Sequence, residues 1–384
     1  MNFSKRIEPL KDLIRSSERV LSESVPKGYV DLSASVPPFP VPGVLLNAAQ
    51  EILRSENLNY TETYGLPKLR EALAERHDLK WGKEGVTIST GTSEALFCTL
   101  AAIIDPGDEL LVPALTLRAH KNVSHFFSGT VREYPLSMDT PHQVSAEALI
   151  RQIRPATKAI LVNNPLIATG QLFHPAEFEI LSAYCAENDI FMLVDESFYE
   201  IHYPGSAHAS FAGYADHVIT FSSMTKLFCM SGLRIGWLFA SPGITEAINS
   251  VRYISSTCAN TFSQRFALRM VNGLGVETKE KLLSILQNRR KLMLETLKLQ
   301  GFKYFVRSHA GYFILLNYQE ELNKPCSDEE FAGMLKDRHE IIVTPGSHFG
   351  PAAEGYIRIS FATDESNIQH GVAAIRECIN EYNL

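Results

Sequence analysis

Between about Leu45 and Arg269 the chain alternates short apolar runs with helical patterns, and this alternation constrains the fold more than any other feature. The runs are GVTIST, DELLVPA, TVREYPL, KAILVNNP, IFMLVDES, HVITFSS and GWLFAS, bounded by Gly, Pro, Asp and Asn. Between them lie helical patterns such as SEALFCTLAAII and PAEFEILSAYCAEN. Continuous apolar strands alternating with helices predict an α/β unit, a mostly parallel seven-stranded sheet covered on both faces.

The remaining chain reads differently. After Gly273 comes a long charged amphipathic helix, VETKEKLLSILQNRRKLMLETLKLQ, then strand runs GYFILLN, IIVTP and YIRISFA, then a final helix. This predicts a smaller α+β unit. The first 40 or so residues read as an arm, with one amphipathic helix near Ile7 to Leu21 followed by SVPPFPVPG. Pro37, Pro38, Pro40 and Pro42 forbid helix there and suit an extended segment lying on a surface. The expected boundaries are 1–44 for the arm with part of the small domain, 45–272 for the large domain and 273–384 for the small domain.

Composition excludes several classes. The 384 residues carry 43 acids against 36 bases, a net charge of −7, which argues against nucleic acid as a partner. Six scattered cysteines lack CxxC spacing, so structural zinc and a redox dithiol are not expected. The start, MNFSKRIEPLKDLIRSS, has no apolar h-region, and the apolar stretch Ala95 to Ile104 is too short to span a membrane. A cytoplasmic protein with inert thiols is expected. No GxSxG elbow, GxxxxGK[ST] loop or HExxH helix occurs, and the twelve histidines show no ligand spacing, so no metal site is expected.

Three segments carry chemistry. In SSMTKLFCMSGLRIGW, Lys226 follows an apolar strand, with hydroxyls at Ser222, Ser223 and Thr225 and with Arg234 between glycines. A lone lysine there is ordinarily a solvated surface residue. Hydroxyls and a guanidinium suit a phosphate, and an amine beside a phosphate-bearing aldehyde suggests a Schiff base. In IFMLVDESFYE, Asp195 ends a strand at the edge where ligands of open parallel sheets collect. It reads either as a turn or cap residue or as a carboxylate pairing a pyridinium nitrogen. In TISTGTSEALF, a strand ends at Ser89 and a helix opens near Thr92, so free amides and the helix dipole, with Thr92 and Ser93, suit an anion.

Together these segments resemble the fold-type I pyridoxal phosphate enzymes, in the aspartate-aminotransferase-like branch of class I and II aminotransferases. The resemblance runs in order along nearly the whole chain: YTETYGLPKLREAL, TGTSEAL, NNPLIATG, DESFYE, SSMTKLFCMSGLRIGW, PGSHFG and YIRISFA. It implies pyridoxal 5′-phosphate as cofactor, bound by the large domain, and amino-group transfer between an amino acid and a 2-oxo acid. Lys226 would form the internal aldimine and later move the proton. Asp195 would pair the pyridinium. Ser223, Arg234, Thr92 and Ser93 would hold the phosphate. Tyr60 would reach the phosphate of a neighbouring subunit, making the active unit a homodimer. Arg358 would bind the substrate α-carboxylate.

Three positions depart from the family pattern. The asparagine and tyrosine that donate to the ring hydroxyl fall at Ile167 and Phe198, and the stacking aromatic falls at Leu117. Ile167 and Phe198 cannot donate hydrogen bonds. Either Asn164, Tyr199 or His120 substitutes, or the site is tuned for another reaction on an amino acid, such as decarboxylation, elimination, cyclisation or oxidation. A non-catalytic binding protein is a third reading, and the joint presence of Lys226, Asp195 and Arg234 argues against it.

Overall fold

The structure, a computed structural model, describes residues 25–37, 39–127, 129–138, 144–206, 209–224, 226 and 228–384. The helix expected over Ile7 to Leu21 lies outside the described residues. The first described strand, β1 (Val30–Asp31), stands apart from the seven that follow. These are β2 (Val86–Ser89), β3 (Glu109–Pro113), β4 (Thr130–Tyr134), β5 (Thr157–Asn163), β6 (Phe191–Asp195), β7 (Val218–Ser222) and β8 (Gly236–Phe239). They form one sheet in the order β2-β8-β7-β6-β5-β3-β4, matching the seven runs read from the sequence. β8 is antiparallel to both neighbours, and the other pairs are parallel.

The apolar runs are continuous because both faces are covered. On β5, Ile160 and Val162 join Met192 and Val194 under the helix Pro175–Glu187, which contributes Phe178, Leu181 and Cys185. Ala159 and Leu161 point the other way. They join Leu193, Ile219 and Leu238 under the helices Thr92–Ile103 and Pro242–Ser255. Period-two alternation therefore serves two cores, and polar residues fall at the strand ends.

This topology decides where chemistry gathers. The carboxyl ends of the parallel strands and the amino end of β8 meet at one sheet edge, with Ser89 paired to Gly236 and Asn163 to Asp195. Ligands of open α/β sheets collect at such an edge.

The C-terminal part builds a second sheet. Its strands are β9 (Phe305–Val306), β10 (Phe313–Asn317), β12 (Thr344–Pro345) and β13 (Tyr356–Ser360), in the antiparallel order β12-β13-β10-β9. Helices Val276–Leu299, Asp328–His339 and Glu365–Asn383 pack their apolar faces with Ile314, Ile357 and Ile359 in one core. β11 (Ile341–Ile342) pairs in parallel with β1. Leu32 continues that pairing, donating to the Ile342 carbonyl at 2.8 Å and accepting from the Ser360 amide at 2.6 Å. The segment after β1 is thereby anchored to the small sheet.

Candidate active site

Asp195 is the last residue of β6 and is 6% exposed. Its Oδ1 accepts the Ser197 amide at 2.9 Å and the Ser197 hydroxyl at 2.5 Å. Its Oδ2 accepts from Asn163 Nδ2 at 3.4 Å and lies 3.5 Å from His120 Nε2. The Thr116 hydroxyl donates to Asn163 Oδ1 at 2.8 Å and sits 3.1 Å from His120 Nδ1. Burial holds the His120 imidazole below its ordinary range, against the pull of Asp195. A buried carboxylate with a fixed orientation thus faces the sheet edge, suited to a cationic ring nitrogen.

A second corner suits an anion. The helix Thr92–Ile103 starts straight after β2, with Gly91 as its N-cap, so no capping side chain closes its amides. Gly91 has φ +83, and a Cβ there would lie 2.7 Å from Arg234 Nη2. A Cβ on Gly236 would lie 2.9 Å from Gly91 backbone and 3.0 Å from the Ser222 carbonyl. The two glycines let backbone and guanidinium converge on the helix start, forming a cradle that side chains would fill. Arg234 itself adopts the left-handed φ of +48, uncommon for a residue with a side chain. It donates to Ser231 and Thr90 carbonyls at 3.1 and 3.3 Å and is otherwise exposed. Dipole, amides and guanidinium add to a phosphate site. Ser93 is exposed beside it, and Ser223 follows β7 at the same edge. The Ser197 hydroxyl, 3.4 Å from Thr92 Oγ1, connects this corner to Asp195.

Lys226 and Arg358 complete the cluster. Lys226 Nζ lies 5.3 Å from the centre of the Phe198 ring and donates to the Ser35 carbonyl at 3.2 Å. Burial, then the Arg358 charge, push the amine down to about 8, while Asp195 pulls the other way. Arg358, on β13, is 3% exposed, with its guanidinium 3.7 Å from the Phe313 ring centre and 4.5 Å from that of Phe349. Among the described residues its Nε has no hydrogen-bond partner, and burial pushes the group down to about 9. A buried cation with an unused donor is costly unless an anion arrives to meet it. The cradle, the free amine and the oriented carboxylate together fit pyridoxal phosphate. Arg358 adds a place for a carboxylate.

The structure does not bring Tyr60 into this cluster. It is 87% exposed, next to Asn59, whose carbonyl accepts from Thr261 Oγ1 at 2.7 Å. Ile167 and Phe198 are buried and apolar. Leu117, 38% exposed, precedes the helix Arg118–Phe126. Of the polar substitutes weighed for the ring, Asn164 is committed elsewhere: it accepts from the Phe173 amide at 3.0 Å and donates to the Ala209 carbonyl at 3.1 Å. Tyr199 lines a small pocket with Arg76, His77 and Glu200. His120 meets Asp195. Sequence reasoning missed Ser35, Thr116, Asn163, Ser197 and Tyr312. Only Ser197 carried a local signal, a hydroxyl two residues after an aspartate, the spacing of an Asx-type turn.

Among the described residues there is no cluster of His, Cys, Asp and Glu able to hold a metal, and no helix long and apolar enough to cross a membrane. A family-wide sequence profile, aminotransferase class I and II, matches residues 27–375. The chain is 28% identical over 362 residues to a probable aspartate/prephenate aminotransferase of Aquifex aeolicus, covering 92% of this chain and 91% of that one. It is 26% identical to aromatic-amino-acid aminotransferase 2 of Thermococcus litoralis, covering 93% of each. Among solved structures, a double mutant of Thermus thermophilus aspartate aminotransferase superposes with a TM-score of 0.89 at 28% identity, covering 98% of this chain and 100% of that one.

Proposed function

Because this chain belongs to the class I and II aminotransferase family, it moves an amino group between an amino acid and a 2-oxo acid with pyridoxal phosphate, and we propose which residues do so. When bound, the cofactor supplies an electron sink that lets the Cα–H bond of the amino acid break heterolytically. Lys226 holds the cofactor at rest and, once released, takes the proton from the substrate Cα. An amine lowered to about 8 is a competent base near neutral pH, which an ordinary lysine is not. Asp195 holds the ring nitrogen, oriented by Ser197, Asn163 and His120. Thr92, Ser93, Ser223 and Arg234 hold the phosphate at the helix start. Arg358 binds the substrate α-carboxylate through its unused donor, fixing Cα near Lys226.

The partner and setting follow the same reading. Tyr60 reaches the phosphate of a second copy in a homodimer, which its 87% exposure supports. Exposed Leu46, Leu53 and Ile254 are apolar surface of the kind that a second copy covers. Residues 45–272 act as the cofactor-binding domain, 273–384 as the small domain, and 1–44 as its arm. Six free thiols support a reducing, cytoplasmic setting.

The observation that carries this proposal is that Asp195 at the sheet edge and Arg358 on β13 both lie within electrostatic reach of Lys226. Lys226→Ala is expected to abolish both turnover and the visible absorbance of the bound cofactor, and persistence of both would sink the assignment. The buried apolar pair Ile167 and Phe198 favours a second reading, another reaction on an amino acid at the same site. Mixing the enzyme with single amino acids separates the two. Transfer converts the cofactor to its amino form without any 2-oxo acid, whereas release of carbon dioxide, ammonia or peroxide assigns the other reaction.

A further inference from the structure

One backbone oxygen joins the amine of Lys226 to a buried phenol. The Ser35 carbonyl accepts from Lys226 Nζ at 3.2 Å and from the Tyr312 hydroxyl at 2.6 Å. Ser35 lies on the segment that leaves β1, which is anchored through Leu32 to Ile342 and Ser360. Ser35 itself is held by the phenol and the amine. Tyr312 precedes β10 and is fully buried. Its ring stands edge-on to Phe198, with centres 5.4 Å apart, and 4.6 Å from the Phe313 ring. Phe198 in turn flanks the amine, and Phe313 flanks Arg358. The phenol is thus held by the two rings that flank the two reactive cations, and its hydroxyl donates to the Ser35 carbonyl.

We propose that Tyr312 is a positioning residue: its hydroxyl fixes the Ser35 carbonyl as the dock for the Lys226 amine whenever that amine is not bonded to cofactor. This rests on the assignment of Lys226 made above. The physical logic is simple. A free amine on a four-carbon stem samples many rotamers, and a proton transfer needs it in one. A fixed carbonyl selects the rotamer and accepts from the charged form. The segment after β1 would therefore be part of the proton-transfer machinery.

The test compares wild type with Tyr312→Phe, which keeps the ring contacts and removes only the hydroxyl. The expected result is a fall in kcat of about tenfold or more with KM for the amino acid within about threefold. In protein loaded with pyridoxamine phosphate, where Lys226 is free, its titration is followed by the pH dependence of trinitrobenzenesulfonate modification and peptide mapping. The other charged groups facing the amine, Arg358, Asp195 and Arg234, are the same in both proteins. Losing a fixed acceptor for the charged form moves the midpoint lower in the variant. An unchanged kcat and midpoint would overturn the proposal, as would a rise in KM alone, which would put the phenol against substrate. Loss of the visible cofactor absorbance in Tyr312→Phe would also overturn it, leaving a purely structural role. These outcomes are separate from failure of the Lys226 assignment, which Lys226→Ala reports by itself.

Discussion

Replacing Arg358 with methionine is expected to make the enzyme worse and the fold more stable. The residue is 3% exposed, its guanidinium lies over two aromatic rings, and its Nε has no hydrogen-bond partner among the described residues. Burial pushes it down from the ordinary guanidinium range to about 9, which corresponds to a cost of about 5 kcal/mol at about 1.4 kcal/mol per pH unit. For a base with a lowered folded value, that cost is present in full below about pH 9 and fades as pH rises above it. The two ring faces return about 1–2 kcal/mol each. The net is about 2 kcal/mol against folding at pH 7, which a methionine of similar length removes. Over 384 residues that corresponds to a rise in Tm of about 2–3 °C. The substrate loses a bidentate charge-assisted pair, about 3–5 kcal/mol, so kcat/KM falls by about two to four orders of magnitude. Thermal melts of the cofactor-loaded enzyme without substrate, beside steady-state kinetics at pH 7, measure both. A Tm that falls by several degrees, or a kcat/KM within about fivefold of wild type, would refute the reasoning.

Other substitutions probe the remaining corners. Gly91→Ala places a Cβ 2.7 Å from Arg234 Nη2 at a φ of +83, so cofactor affinity is expected to fall by about tenfold or more, read by equilibrium dialysis. Ser197→Ala removes the 2.5 Å hydrogen bond to Asp195 while leaving the backbone donor. It is expected to weaken cofactor retention and slow turnover, with Ser197→Thr restoring both. Glu196 is buried, accepts from Ser210 and Phe211, and is pushed by burial up to about 8. A carboxyl with a raised folded value binds its proton more tightly when folded, so stability falls as pH rises from about 4.5 to 8. Glu196→Gln is expected to flatten that slope in denaturant titrations, and an unchanged slope counts against the protonated form.

Much of the architecture was legible in the sequence because it is set by local burial. Each of the seven strands is a short run whose alternate residues feed two cores, as Ile160 and Ala159 do on β5, and that pattern needs only neighbouring residues. The strand-end positions of Asp195 and of the turn holding Lys226 were legible for the same reason, since a run of apolar residues stops where the sheet edge begins. The spacing from Lys226 to Arg234 survived because both lie on one turn between adjacent strands.

What the tertiary structure decided concerns residues that no local rule connects. Ser35 and Tyr312 are 277 positions apart, yet share a 2.6 Å hydrogen bond, and Lys226 finds the same oxygen across 191 positions. His120 meets Asp195 because β3 and β6 both flank β5, not because of any spacing in the chain. Asn164, one of three substitutes for the ring donor weighed from the sequence, is bonded to Phe173 and Ala209 in space. Hydrophobic periodicity records which face of an element is buried. Which faces meet depends on sheet order and on the small domain lying against the sheet edge. The sequence therefore supplied the candidates Lys226, Asp195 and Arg358, and the tertiary structure supplied the partners that orient them.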